Sequence, residues 1–256
     1  SRGGAISLSA MTVLIAAFIF FVLNKKINLV LLIPLFALLI PNNITAFSQI
    51  SVLMIQGNVP ELGLEFNARA KEVFNNHVNE TNKALIQDKK VDFVVWPENA
   101  VDVDPYTNKD VYEKLEAFEK PLIIGAIVGK GEKILNTSIL WGDKTQEIYV
   151  KQHLTPYGEY IPLRSIAKKI SPLVNQVKDF SPGNEQKIFT IGQAKIAPVI
   201  CFELVDDEIL SEAARKSNLL VVQTNSATFG KSAESAQQLS MTRVRAIEHS
   251  RNVVSV

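Results

Sequence analysis

The chain has 256 residues and is close to neutral, with 27 lysines and arginines against 26 aspartates and glutamates. This length allows one large domain or two small ones, and the balanced charge excludes the broad basic surface typical of nucleic-acid-binding proteins. One cysteine excludes an internal disulfide, and the three histidines stand at no metal-ligand spacing. The sequence therefore predicts no nucleic-acid partner, no metal and no organic cofactor.

Two apolar stretches open the chain. Residues 5–23 carry no charge, and after Asn24, Lys25 and Lys26 a second apolar stretch covers residues 27–40. The first stretch is about long enough to span a bilayer, whereas the second needs the following residues to do so. We predict a hairpin of two transmembrane helices within residues 1–47. The alternative is a secretory signal peptide, which the second stretch and the absence of an initial Met disfavour.

The two lysines between these stretches predict the orientation of the hairpin. Lysine and arginine are enriched in cytoplasmic loops, so Lys25 and Lys26 are expected in the cytoplasm and residues 48–256 outside it. The first residue is not Met, and the last residues, 252–256, have the pattern of a strand. We therefore expect a fragment of a longer protein, with the domain at residues 48–256 truncated at its C terminus.

Beyond residue 50 the sequence alternates strand patterns with helix patterns. Strands are predicted at residues 51–57, 91–98, 121–129, 134–142, 147–151, 195–203, 218–225 and 252–256. Helices are predicted at residues 66–86, 109–118, 206–217 and 235–250. This alternation predicts an α/β domain in which much of the sheet is buried.

Three reactive side chains follow predicted strands: Glu98, Lys151 and Cys201. Each also has a plain interpretation, since Glu98 and Lys151 fit solvated loop residues and an unpaired cysteine is often a small buried hydrophobe. However, α/β sheets place their sites at strand ends. A carboxylate there can activate a thiol, and a cation can stabilise an oxyanion. Cys201 is thus either a core residue or a nucleophile.

Four segments carry a family resemblance: "VVWPENA", "KQHLTPYGEYIPLR", "PVICFE" and "TNSATFGKSAESAQQLSMTRVRAIEHSRNVV". Their order and spacing resemble the nitrilase superfamily. The second segment and the membrane hairpin more narrowly resemble the apolipoprotein N-acyltransferases. Phe202 stands where some relatives have Tyr, and "NSATFG" also departs from their pattern, so lipid contacts are not carried over.

The resemblance implies both a fold and roles for six residues. The fold would be a nitrilase-like four-layer α-β-β-α sandwich, preceded by the transmembrane hairpin. By resemblance Cys201 is the nucleophile, Glu98 the general base and Lys151 the oxyanion stabiliser. Three further residues would support this triad: Glu159, Glu203 and, through its backbone N–H, Phe202.

The resemblance also implies a reaction and a place in the cell. A fatty acyl chain would pass from a membrane phospholipid, through a Cys201 thioester, to the α-amine of the S-diacylglyceryl-cysteine of an apolipoprotein. The enzyme would act as a monomer in the bacterial plasma membrane, with its catalytic domain on the extracytoplasmic face. One alternative is a membrane-tethered amidase or other hydrolase with the same triad. Another is a noncatalytic membrane-anchored module in which Cys201 is only core.

Residues 163–177 have an amphipathic pattern. Leu163, Ile166 and Ile170 share one helical face, and Arg164, Lys168 and Lys169 lie elsewhere on its surface. Such a segment either lies at a membrane interface or packs on the sheet. The family resemblance favours the membrane interface.

Overall fold

The computed structural model describes residues 2–25, 49–59, 71–88, 90–142, 146–170, 174, 178–227, 230 and 232–256. The chain divides into two compact units, residues 1–49 and residues 50–256.

In the first unit, the described residues form helix α1, Arg2–Asn24. Throughout the described part of the chain, no helix combines the length and the hydropathy that crossing a bilayer requires. The predicted transmembrane hairpin is therefore not confirmed, and its second segment, residues 27–40, lies outside the described residues.

The second unit contains all the strands and the remaining helices of the described residues. Its strands are β1 Val52–Met54, β2 Phe93–Val95, β3 Leu122–Lys130, β4 Lys133–Trp141, β5 Ile148–Val150, β6 Phe189–Ile191, β7 Ala194–Ile200, β8 Leu219–Gln223 and β9 Asn252–Ser255. Its helices are α2 Glu72–Gln87, α3 Lys109–Glu116, α4 Arg164–Ile170, α5 Asp207–Lys216 and α6 Glu234–Glu248, with a 3₁₀ turn at Cys201–Val205.

The strands form two sheets. The first has the order β1-β2-β3-β4-β5, with β1, β2 and β3 parallel and the last two strands antiparallel. The second has the order β6-β7-β8-β9, with β7, β8 and β9 parallel and β6 antiparallel at the edge. Parallel strands share one carboxyl end, so each sheet gathers several strand termini at one edge.

The two sheets pack on each other and form the middle two of four layers, with helices on the outside. Phe93 and Val95 of β2 pack in one cluster with residues of the second sheet such as Ile196 and Val221. The intervening Val94 faces the opposite way, toward a cluster with α2 and α3. The outer face of the second sheet packs on α5 through Leu210. Because neighbouring strand residues point to opposite faces, each sheet is buried on both sides, as the apolar runs indicated.

The predicted α/β class is confirmed, but some element boundaries were wrong. The strand predicted at residues 195–203 ends at Ile200, and Cys201 begins the 3₁₀ turn. Strand β6, Phe189–Ile191, was missed. Residues 60–70, which include the first part of the helix predicted at 66–86, lie outside the described residues.

Candidate active site

The three candidate residues meet at strand ends that come from both sheets. Glu98 lies shortly after β2, Lys151 directly after β5 and Cys201 directly after β7. The ammonium nitrogen of Lys151 lies 3.2 Å from Oε1 of Glu98. The Glu98 carboxylate lies close enough to the Cys201 thiol to raise the pKa of that thiol. The structure thus brings the three side chains into one cluster.

Cys201 occupies a strained backbone conformation. Its φ of 49° lies in the left-handed region, whereas the preceding Ile200 is extended. For a residue other than glycine, this conformation costs about 1 kcal/mol and persists only where the surroundings enforce it. The turn carries the thiol out of the β7 strand direction, and the side chain is half-buried.

Glu203 holds this turn from inside the protein. Its Oε2 accepts a hydrogen bond of 2.7 Å from the backbone N–H of Ile200, within the same turn. Its Oε1 accepts hydrogen bonds of 2.7 Å from the Tyr149 hydroxyl and the Gln152 backbone N–H, beside β5. Complete burial raises the pKa of Glu203, although these hydrogen bonds oppose the shift. Glu203 therefore links the segment around the lysine to the turn around the cysteine.

Lys151 is buried between two carboxylates. Besides Glu98, its ammonium contacts Oε2 of Glu159 at 2.8 Å, and it donates to the Thr155 hydroxyl at 3.3 Å. Burial lowers the pKa of Lys151, but the nearby charges of Glu98 and Glu159 outweigh burial and leave this pKa raised. The lysine is therefore a fixed cation at neutral pH.

Asn136, which the sequence analysis missed, joins the two glutamates. It lies in the middle of β4, and its Nδ2 donates hydrogen bonds to Oε1 of Glu98, at 2.8 Å, and to Oε1 of Glu159. Glu159 also accepts a hydrogen bond of 2.7 Å from the Thr155 backbone N–H. The available signal was the polar run at residues 136–138 inside a buried strand, because buried polar groups normally have hydrogen-bond partners.

Contacts from both sheets fix the position of Glu98 and of the loop that carries it. A side chain at Gly125 in β3 would lie 2.3 Å from the Pro97 carbonyl oxygen and 2.6 Å from the Glu98 Cα, so glycine lets this loop lie directly on the strand. From the second sheet, the Asn225 backbone N–H donates to Oε2 of Glu98 at 3.0 Å. The Gln223 amide donates to the Trp96 carbonyl at 2.6 Å. Both sheets therefore hold this carboxylate.

The environment of Cys201 keeps its thiol protonated at rest. Burial and the Glu98 carboxylate raise the pKa of the Cys201 thiol to about 12, while Lys151 and Gln238 act in the opposite direction. The side-chain amide of Gln238, another residue that the sequence analysis missed, lies 3.6 Å from the Cys201 Sγ. A thiol of this kind needs a base at the moment of attack, and the nearby Glu98 carboxylate can be that base.

The remaining candidate, Phe202, lies next to the nucleophile in the same turn. Its ring packs edge to face on His153, with 5.2 Å between the ring centroids. His153 in turn bonds through Nδ1 to Asp206 at 2.8 Å. The oxyanion role of the Phe202 backbone N–H stays a prediction.

A cavity of about 660 Å³ borders Glu98. Its wall combines small apolar groups with uncharged polar groups, including His77 and Asn225. Burial lowers the pKa of His77, so this imidazole is neutral near pH 7. In the described part of the chain, no group of three or more His, Cys, Asp or Glu side chains could hold a metal ion. The cluster can perform acid-base and nucleophilic chemistry with its own side chains.

Comparisons with known proteins identify the family of this chain. A family model described as carbon-nitrogen hydrolase matches residues 51–256. The apolipoprotein N-acyltransferase of Mycolicibacterium smegmatis is 36% identical over 224 residues, which cover 80% of this chain and 37% of that protein. The protein of the same name from Geobacter metallireducens is 30% identical, covering 77% of this chain and 40% of that protein. The chain thus spans about two fifths of the length of these curated relatives.

Solved structures share the fold at low sequence identity. A carbon-nitrogen hydrolase from Helicobacter pylori superposes with a TM-score of 0.59 at 17% identity, covering 80% of this chain and 72% of that one. An amidase from Nesterenkonia superposes with a TM-score of 0.55 at 14% identity, covering 84% and 78%. Since the family model covers nearly all of the second unit, and since that unit has the fold of these structures, the chain belongs to the carbon-nitrogen hydrolase family.

Proposed function

We propose that the protein is an apolipoprotein N-acyltransferase. It transfers a fatty acyl chain from a membrane phospholipid to the α-amine of the S-diacylglyceryl-cysteine of an apolipoprotein. The observation that carries this proposal is the grouping of Cys201, Glu98 and the Lys151 cation at neighbouring strand ends, in a chain whose curated relatives bear that name. The chain is proposed to act as a monomer.

The first half-reaction forms an acyl-enzyme. Glu98 takes the thiol proton while the Cys201 sulfur attacks the ester carbonyl of the phospholipid. The Lys151 cation and the Phe202 backbone N–H stabilise the tetrahedral oxyanion. When this intermediate collapses, the C–O bond breaks, the proton passes from Glu98 to the departing lysophospholipid alcohol, and an acyl thioester remains on Cys201.

The second half-reaction transfers the acyl group to an amine. The neutral α-amine of the acceptor attacks the thioester carbonyl and gives one proton to Glu98. The C–S bond then breaks, its electron pair returns to sulfur as a thiolate, and the proton on Glu98 restores the thiol. Glu159 holds Lys151 in place throughout, through the 2.8 Å ion pair and the shared Asn136 amide.

A hydrolase would use the same residues with water in place of the amine. The lipid donor therefore decides between the two functions. We expect intact-protein mass spectrometry of the whole protein in detergent, incubated with phospholipid and no acceptor, to show an added mass of one fatty acyl group. Neutral hydroxylamine should remove this mass, because thioesters react with it readily. A protein without phospholipid is the control. A folded protein that never acquires the mass would contradict the acyltransferase.

We further propose that residues 50–256 lie on the extracytoplasmic face of the bacterial plasma membrane, close to its surface. Tyr157 and Leu163, which follow the lysine segment, are 81% and 74% exposed. Large apolar groups of this kind suit a membrane interface. Arg164 pairs with Asp179 and donates to the Val174 carbonyl at 2.8 Å, which ties the start of helix α4 to the chain that follows it.

The orientation can be measured with single cysteines in a Cys201→Ala background. Lys25 and Lys109 are both exposed positions, one in each unit. A membrane-impermeant maleimide added to intact cells should label Lys109→Cys and should spare Lys25→Cys until the membrane is opened. The reverse pattern would show that residues 50–256 face the cytoplasm.

A further inference from the structure

Helix α6 is held on the cysteine turn by polar contacts. All of α6 lies within the described residues, and Thr242 is the only one of its residues that is buried. Apolar burial therefore contributes little to its position. Arg245 supplies the anchor, because its Nε donates to the Leu204 carbonyl at 2.9 Å and a terminal nitrogen pairs with Asp207 at 2.6 Å. Both partners lie in or directly beyond the 3₁₀ turn that begins at Cys201.

The same face of the helix reaches the sulfur. Gln238, Thr242 and Arg245 are spaced by four and then three residues, which places them on one side of a helix. Thr242 donates to the Gln238 carbonyl at 2.9 Å. At the N-terminal end of this face, the Gln238 Nε2 lies 3.6 Å from the Cys201 Sγ. An amide nitrogen carries only donors, so this contact is an N–H···S hydrogen bond.

We infer that Gln238 is a further catalytic residue, which stabilises the Cys201 thiolate by donating a hydrogen bond to its sulfur, and that Arg245 is the positioning residue for it. This inference rests on the proposed function, in which Cys201 is the nucleophile. The Gln238 N–H supplies a partial positive charge, and the amide does not ionise. Gln238 belongs to helix α6, whereas Glu98 and Lys151 follow strands of the first sheet.

The contact acts at two points of the reaction. When Glu98 takes the thiol proton, the electron pair left on sulfur is stabilised by the Gln238 N–H and by Lys151. Once the S–C bond forms, the thioester sulfur is neutral and accepts hydrogen bonds poorly, so the enzyme gains little from this donor in the intermediate. When the amine displaces the acyl group, the pair returns to sulfur and the donor stabilises the leaving thiolate. A contact that is stronger near the transition state than in the intermediate accelerates both halves.

Thiol alkylation measures this effect without any acyl transfer. Cys201 is the only cysteine, so incorporation of iodoacetamide reports one site. At a fixed pH below the thiol pKa, the rate follows the thiolate fraction. Gln238→Met keeps the length of the side chain and removes its donor. We expect alkylation to slow roughly tenfold, the equivalent of one pKa unit, because a hydrogen bond to a charged group has about that strength.

Two further variants separate charge from shape. Gln238→Glu has the shape of glutamine but places a carboxylate beside the sulfur, so its alkylation should be slower than that of Gln238→Met. Gln237→Met changes an exposed neighbour on the same helix and should leave the rate unchanged. If Gln238→Glu reacts as fast as the wild type, or if Gln238→Met does, the inference is wrong.

The positioning role of Arg245 is tested by a double-mutant cycle. Arg245→Met should slow alkylation less than Gln238→Met, and the double variant should react no more slowly than Gln238→Met alone. Additive effects would remove Arg245 from this role. The acyl adduct of the wild type is measured separately. An adduct with unchanged alkylation in the Gln238 variants overturns only this inference, whereas altered alkylation without an adduct overturns only the proposed function.

Discussion

Cys201→Ala is expected to abolish the acyl adduct and to reduce acyl transfer at least about 1,000-fold, because it removes the atom that forms the thioester. The variant should remain folded. Alanine tolerates the φ of 49° about as well as cysteine does, and the Ile200 and Leu204 positions around the turn are unchanged. Glu98 keeps its hydrogen bonds from Asn136 and Lys151. The measurements are intact mass, acyl transfer and thermal unfolding.

The same variant tests the packing interpretation of Cys201. If the thiol were only a core residue, alanine would lower the melting temperature and leave transfer unaffected. Cys201→Ser provides the matched control, since it keeps the size and exchanges the thiol for a hydroxyl that ionises far less readily. We expect serine to fold and to transfer no acyl chain at a comparable rate. Transfer at the wild-type rate in either variant would contradict the thioester mechanism.

Lys151→Met is expected to abolish turnover and also to destabilise the fold, by about 3–5 kcal/mol. The lysine is 1% exposed, and its ammonium lies 3.2 Å from Glu98 and 2.8 Å from Glu159. Methionine fills much of the space but leaves two buried carboxylates without their cation. Thermal unfolding and the rate of adduct formation measure the two effects. Lys195→Met, at an exposed position of β7, is the matched control and should change neither.

The loss of stability in Lys151→Met should depend on pH. In the wild type, the pKa of Lys151 is raised, so the stability that this lysine contributes is fully present below its unfolded pKa of about 10.4 and is lost as pH rises through the folded pKa. The variant lacks this contribution at every pH. The difference between the proteins should therefore be smaller in strongly alkaline solution, above the folded pKa of Lys151, than at pH 8. An equal difference, or adduct formation at the wild-type rate, would contradict the role assigned to Lys151.

The sequence predicted the part of the candidate site that lies at strand ends. Glu98, Lys151 and Cys201 each follow an apolar run, and buried strands are recognisable because both of their faces are apolar. The resemblance added Glu159 and Glu203. In the structure Glu159 forms an ion pair with Lys151, and Glu203 accepts a hydrogen bond from the turn around the cysteine. The roles of all five in catalysis remain proposals. Asn136 and Gln238 were missed because they lie inside a strand and a helix, away from the strand ends where reactive residues were expected.

The sequence by itself determined the α/β class, the positions of most strands along the chain and the residues that could react, because these follow from local hydrophobic periodicity and from side-chain chemistry. Only the tertiary structure decided how those residues are held. The Glu203 carboxylate meets Tyr149 across 54 positions of the chain, and the Asn225 N–H meets Glu98 across 127. Such contacts depend on how the two sheets pack, which no local pattern encodes. The left-handed φ of Cys201 has the same origin, since contacts from both sheets, and not the residue itself, impose it.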